Sequence, residues 1–230
     1  MAGETVKTEA ICLRIVPWSQ TSHIVTWFTP SGKVSTVVKG AVRPKSPFLG
    51  QYDLNYTCEI VYYARARGEL HALRDCAPES MHETLRSDFR ALLLAEHMRR
   101  IVGDLAPSGP DAADWYSLLE ESLARLSDPS RGILRELVAF EMKALELAGL
   151  SPEMEASEGA FTLRGMRKIP VSAEVARCLA DPSAEKNIQI LLDAARVLGV
   201  FYTFHVESVP ETRRAVLQVA STTEQGGKSK

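Results

Sequence analysis

No run of eighteen or more apolar residues occurs in the 230-residue chain, which excludes a membrane-spanning helix. The opening Met-Ala-Gly-Glu-Thr-Val-Lys lacks a basic segment followed by an apolar one, so no secretory signal is expected and the cytoplasm is the default compartment. Cysteine is scarce: Cys12, Cys58, Cys76 and Cys178, with no C-x-x-C spacing. That argues against a zinc site and against a disulfide framework in a cytosolic chain of this length. The first three sit in strand-like runs, where a thiol packs as a small hydrophobe. Catalytic signatures are missing too. There is no G-x-S-x-G, H-E-x-x-H or G-x-G-x-x-G. Ser31-Gly32-Lys33 fails as a phosphate loop, because Trp27 stands where the first glycine is needed and Val34 where Ser or Thr must follow the lysine. The five histidines (23, 71, 82, 97 and 205) are scattered without ligand spacing, and His205 reads as a core residue on an apolar helix face. Finally, a large charge of either sign is absent, since the net charge is −2.

What is present is the composition of an ordinary globular protein, 45% hydrophobic and 24% charged, long enough for one large or two small domains. The charge is unevenly placed. Residues 1–80 carry a net +2 and the remainder a net −4. Local charge, not the total, steers an anionic partner. Its densest basic feature is the turn Val38-Lys39-Gly40-Ala41-Val42-Arg43-Pro44-Lys45-Ser46, with three cations, a permissive glycine and a stiff proline. It reads either as a solvated connection or as a loop made to meet an anion.

The first 78 residues read as β. Thr8–Val16, His23–Phe28, Lys33–Lys39, Tyr52–Tyr63 and Glu69–Asp75 are five strand-like runs with short links, Thr29-Pro30-Ser31-Gly32 being turn chemistry. A small closed barrel suits that count, in either an oligonucleotide-binding (OB) or an SH3-like arrangement. From Pro78 the period becomes helical. Ser80-Met81-His82-Glu83 has the capping-box pattern, Leu85, Phe89 and Leu92 follow on one stripe, and Glu96 is placed to pair with Arg100. Helices are expected over about 112–126 and 130–148, the second closed by Gly149 and buried through Leu134, Leu137, Val138, Leu145 and Ala148. Ser151–Gly165 reads as a loop or short insertion, followed by a second basic stretch with Arg164, Arg167 and Lys168. Asp181-Pro182 is expected to open the final long helix, and the last dozen residues to be disordered. The domains are therefore 1–79, a barrel; 80–218, helical with an irregular insertion near 151–170; and 219–230, a tail.

Lys33, Lys39, Arg43, Lys45, Arg65 and Arg67 fall at strand ends and turns of the barrel, where phosphate contacts give affinity without sequence reading. Trp18, Trp27, Phe28, Tyr52 and Tyr56 are divided between stacking on bases and filling a small core; Trp18, in the loop after Pro17, is the best placed to stack. A nuclease would need clustered carboxylates for metal ions, and Asp53, Glu59 and Glu69 show no grouping in sequence. A barrel that binds another protein is the remaining alternative.

Several stretches together resemble the bacterial recombination mediator RecO family. They are Glu9-Ala10-Ile11-Cys12-Leu13-Arg14, Pro17-Trp18-Ser19-Gln20-Thr21-Ser22, Phe28-Thr29-Pro30-Ser31-Gly32-Lys33, the basic turn, Leu70-His71-Ala72-Leu73-Arg74-Asp75 and Leu147-Ala148-Gly149-Leu150-Ser151-Pro152. The likeness is specific in the first 80 residues and looser beyond. It implies an α+β protein with an N-terminal five-stranded OB barrel and an α-helical C-terminal domain. It also implies binding of single- and double-stranded DNA, annealing of complementary strands, and, with RecR, loading of RecA onto strands coated by single-stranded DNA-binding protein (SSB). No covalent catalysis and no cofactor are implied, and the location would be cytoplasmic, at the nucleoid. An acidic, apolar-tipped SSB tail would want a groove with a nearby cation, for which Arg99, Arg100 and Arg125 are candidates. Many members of the family carry a four-cysteine zinc site; here Ser157 stands about where its first cysteine would, and no cysteine pair follows, so no metal is expected.

Overall fold

The computed structural model describes residues 4–65, 68–128, 130–157, 160–164, 169–205 and 211–226, with the backbone alone at 153–164, 204–205 and 221–226. Two compact units emerge: residues 1–83 with 102–123, and residues 84–101 with 124–230. Helices α1 (Phe89–Leu105) and α2 (Ala112–Leu126) each run from one into the other.

In the first unit, β1 (Thr5–Pro17), β2 (His23–Thr29), β3 (Gly32–Val38), β4 (Thr57–Tyr63) and β5 (Leu70–Ser80) close into a barrel in the order β1-β2-β3-β5-β4. β3 and β5 are parallel, the other pairs antiparallel, and β4 closes on β1. This is the OB arrangement. β1 serves two neighbours, pairing β4 through Thr5–Ile11 and β2 through Ile11–Pro17, with a register shift between Cys12 and Arg14 that bends it around the barrel. Alternate residues point inward: Ala10, Cys12, Val25, Trp27, Ile60 and Cys76 are among the core. The one polar atom of the Trp27 ring, its indole N–H, donates to Thr36 Oγ1 at 2.8 Å inside that core. All four cysteines are buried free thiols.

Several expected boundaries move. β4 begins at Thr57, not Tyr52, because residues 39–56 form successive turns that pack Phe48 and Tyr52 against the barrel core. Asn55 ends that segment at φ 67°, donating its N–H to the Cys12 carbonyl. β5 continues through Pro78 to Ser80; the proline sits opposite Cys58 beside a register shift, where a missing N–H is tolerated. The capping box at Ser80 is consequently not used. A short 3-10 turn (Glu83–Ser87) intervenes, and α1 starts behind Asp88, whose carboxylate accepts the Arg90 N–H at 2.9 Å. The turn resets the phase, so Phe89 and Leu92 are exposed, and the buried stripe is Ala91, Leu94, Ala95, Met98 and Ile101.

In the second unit, α3 (Ile133–Leu147) buries Leu134, Leu137, Val138 and Leu145. It ends where Gly149, at φ 71°, lets the Leu150 N–H reach back to the Leu145 carbonyl. The expected insertion is instead a three-stranded meander of β6 (Glu153–Ser157), β7 (Ala160–Arg164) and β8 (Ile169–Val171). Arg167 and Lys168 lie outside the described residues. α4 (Ala173–Ala180), unforeseen, is capped by Ser172, whose hydroxyl accepts from the Val175 N–H. Asp181-Pro182 opens only a 3-10 turn; α5 (Ile188–His205) follows, then α6 (Glu211–Gly226). α6 thus runs past residue 219, with Ala220 buried, where a disordered tail was expected. The His205 side chain is outside the described residues.

The centre of this unit is charged. The Glu141 carboxylate, wholly buried on α3, accepts from Arg213 of α6 at 2.7 and 2.9 Å and lies 3.0 Å from His97 Nε2 of α1. Tyr202 of α5 donates to the Glu141 carbonyl, and Arg213 also donates to the Ala195 carbonyl. Gly199 makes room for this: a Cβ there would come 2.5 Å from the Arg213 guanidinium. Burial opposes the charge on Glu141, but Arg213 and His97 outweigh it and hold its carboxyl below the usual range.

Candidate nucleic-acid interface

Two loops meet at one end of the barrel. Register places Pro17 against His23 and His23 against Val38, so the loop 18–22 and the start of the 39–56 segment share that end. They are stitched together: Val42 N–H donates to the Thr21 carbonyl at 3.3 Å, and Gly40 N–H to Ser22 Oγ at 3.3 Å. Gly40 has φ 67°, and a Cβ there would stand 3.2 Å from Arg43 Cδ, so glycine serves both the turn and the arginine's path. Trp18 is held by its backbone N–H to the Ser22 carbonyl at 2.8 Å, yet the residue is 63% exposed. Lys39, Arg43 and Lys45 are exposed, and among the described residues none of them forms an ion pair. Trp18, Lys39, Arg43 and Lys45 are therefore brought to one end.

The rest of the expected set is not brought with them. Lys33 stands at the other end of β3, six residues or about 20 Å away, and its ammonium donates to the Gly103 carbonyl at 2.9 Å. Arg65, exposed, follows β4 at the end where Tyr63 pairs with Thr5, again away from Pro17. Arg67 lies outside the described residues. The other aromatics serve the core: Trp27 and Phe28 are fully buried, Tyr56 is buried, and Tyr52 packs edge-on to Trp27 while sharing a 2.8 Å hydrogen bond with His23. Burial pushes the Tyr52 phenol well above its ordinary value. Apolar exposure on the 39–56 segment, namely Val42, Leu49 and Leu54, was not singled out from the sequence.

Of the carboxylates weighed for metal chemistry, Glu59 pairs with Lys7 at 2.8 Å, Asp53 accepts the Leu54 N–H, and Glu69 is exposed in the 64–69 connection. The three arginines considered for an acidic tail are all engaged. Arg99 and Arg100 pair with Glu96, Arg100 at 2.7 Å as the helical spacing predicts, and Arg125 pairs with Glu136 at 3.0 Å. A groove of about 750 Å³ lies instead between α5 and α6, with Leu192, Val200 and Leu217 on its apolar walls and Arg196 and Arg214 at its edge. Among the described residues no helix is long and apolar enough to cross a membrane.

The fold and this end of it define a class: an OB-type barrel with a cationic, tryptophan-tipped loop pair, joined to a helical unit. The family model for "Recombination protein O N terminal" matches residues 1–81 and that for "Recombination protein O C terminal" matches residues 86–159, and the chain belongs to the recombination protein O family. Similar curated proteins are named DNA repair protein RecO. That of Alkaliphilus metalliredigens is 27% identical over 151 residues, covering 65% of this chain and 60% of its own length. That of Acetivibrio thermocellus is 29% identical over 148 residues, covering 64% and 58%. That of Rhodopirellula baltica is 31% identical over 151 residues, covering 62% and 53%. The chain thus spans less than two thirds of the length of these relatives.

Proposed function

We propose that this chain is a DNA-binding recombination mediator acting in DNA repair without covalent chemistry. The barrel end holding Lys39, Arg43 and Lys45 takes the phosphates of one strand, and Trp18 steadies an unstacked base. Neutralising phosphates lowers the repulsion between strands, so complementary strands anneal; the same loops meet single- and double-stranded DNA through the backbone both share. RecR is the partner with which the chain helps RecA onto SSB-coated strands. The α5–α6 groove, with apolar walls and the exposed cation Arg214, suits an acidic, apolar-tipped SSB tail better than the paired Arg99, Arg100 and Arg125.

The observation that carries this reading is the convergence of three exposed cations, without an ion pair among the described residues, and one exposed tryptophan on two loops hydrogen-bonded to each other. Annealing of complementary strands coated with SSB is the test: the wild-type chain accelerates it, and Lys39→Glu with Arg43→Glu does not. Equal acceleration by both proteins removes the loop from the mechanism. A second reading, a barrel that binds protein and not DNA, draws on Val42, Leu49 and Leu54 exposed on the same segment. A gel shift with a labelled single strand separates the two.

A further inference from the structure

The barrel core holds a pair of thiols that DNA binding does not use. Strands β4 and β5 pair Cys58 with Pro78 and Ile60 with Cys76, so Cys58 and Cys76 are diagonal neighbours on adjacent strands. Alternation turns both inward, and they are 0% and 4% exposed. Their sulfurs converge on one atom: each thiol donates to the Gln51 carbonyl oxygen at 3.6 Å. The Cys76 thiol is held well above its ordinary range, first by its hydrogen bond with Cys58 and then by burial. Gln51 is not part of a strand. It belongs to the 39–56 segment that carries Lys39, Arg43 and Lys45, and it precedes Tyr52, which packs edge-on to Trp27. The two S–H···O contacts therefore tie that segment to the barrel wall.

Diagonal neighbours on a sheet stand about 7–8 Å apart between Cα atoms, and a disulfide wants about 4.4–6.8 Å. Closing the bond draws the two strands along each other and leaves it strained. A strained disulfide is readily reduced, which suits a reversible sensor better than a staple. We propose that Cys58 and Cys76 form a redox switch, in which a disulfide between them unseats the 39–56 segment and weakens its hold on DNA. The oxidant is a small disulfide such as oxidised glutathione. As the segment lifts, one cysteine gives its proton to solvent and its thiolate attacks a glutathione sulfur. The glutathione S–S bond breaks, and one glutathione leaves as a thiolate and takes up a proton. The second cysteine, deprotonated in turn, attacks the sulfur of the first, and the other glutathione leaves in the same way. Two protein thiols are oxidised and one glutathione disulfide is reduced to two thiols. Bonded sulfurs carry no S–H, so the Gln51 carbonyl loses both thiol donors, which disfavours its half-buried place. The effect on DNA rests on the role given above to Lys39, Arg43 and Lys45; formation of the disulfide does not.

In the test, the full chain is reduced and then titrated with oxidised glutathione. The products are read by peptide mapping and by anisotropy with a fluorescein-labelled single strand. Mapping of the wild type is expected to find Cys58 joined to Cys76 with the loss of two hydrogens. Affinity for the strand falls about tenfold, as it would if the segment were seated about a tenth of the time, and dithiothreitol restores it. Saturating oligonucleotide slows the oxidation, because a segment held by DNA lifts less often. Cys58→Ser and Cys76→Ser each keep an O–H for Gln51, so each binds the strand as the reduced wild type does and no longer responds to the oxidant. Glutathione left on single cysteines, or a bridge to Cys12 instead, overturns the pair. A complete Cys58–Cys76 bridge with unchanged affinity overturns the coupling to the segment. If the reduced wild type binds no oligonucleotide, the DNA reading fails and the coupling falls with it, while mapping still decides the bridge.

Discussion

Cations are used in opposite ways in the two units. In the helical unit Arg213 is buried against Glu141, Arg125 and Arg131 share the buried Glu136, and Arg99 lies on Glu96. At the barrel end Lys39, Arg43 and Lys45 stand in solvent without an acid among the described residues. The first arrangement directs charge at the protein itself; the second leaves it for something else. Exposed cations contribute almost nothing to folding, so their loss is felt only in binding, whereas removing one member of a buried pair strands the other in a poor solvent.

The largest test of this contrast is Arg213→Met. It leaves Glu141 buried with His97 alone, and stability in urea is expected to fall by about 3–5 kcal/mol. Lys39→Glu with Arg43→Glu should leave the urea midpoint unmoved and weaken single-stranded DNA by about a hundredfold. The same change should flatten the dependence of affinity on salt by a slope of about 1.4, since each phosphate no longer neutralised removes about 0.7. Loss of stability without loss of DNA affinity in that variant would reverse the comparison. Trp18→Ala is expected to cost about 1 kcal/mol of single-strand affinity, or about fivefold, with little change for a duplex whose bases stay stacked.

Acid separates the units more gently and with opposite signs. The Glu141 pKa is lowered on folding, so its contribution is present above the ordinary carboxylate range and is lost as pH falls through the depressed folded value. The Glu120 pKa is raised, so ionisation opposes folding; that penalty is absent in acid and develops as pH rises through the ordinary range toward the folded value. Glu120→Gln should therefore raise the melting temperature slightly at pH 7 and leave it unchanged at pH 4, followed by circular dichroism. A fall at pH 7 would contradict the penalty that burial, and then the neighbouring carboxylates, place on the Glu120 charge.

Much of the barrel was legible because its strands alternate apolar and polar residues and are separated by turn chemistry, a local signal. The starts of β2 and β3 fall within a residue of expectation, while β4 is mistaken by five because Tyr52, apolar and aromatic, reads as strand while packing as a plug. The meander was illegible for the converse reason: a short segment of Glu, Ser, Gly and Ala has little strand propensity, and its pairing partners are chosen only on folding. At the candidate site, Lys39, Arg43 and Lys45 were readable as a group because seven residues contain them. Their separation from Lys33 and Arg65 was not, since it depends on which ends of which strands face the same way. The engaged state of Arg125 depends likewise on an acid placed by the fold, Glu136, eleven residues away on the next helix, whereas Arg99 pairs locally with Glu96 three residues before it.

By itself the chain's order of residues determined the barrel's strand runs, the helix over 112–126 and most of that over 133–147, and the density of charge in the 39–45 turn, because these rest on neighbours along the backbone. Only the tertiary structure decided which cations are without an acid among the described residues, which tryptophan is exposed, and that Glu141, Arg213 and His97 meet in the buried centre of the helical unit. Those properties depend on burial and on distances between residues remote in sequence, as with Glu141 and Arg213, which stand seventy-two residues apart along the chain.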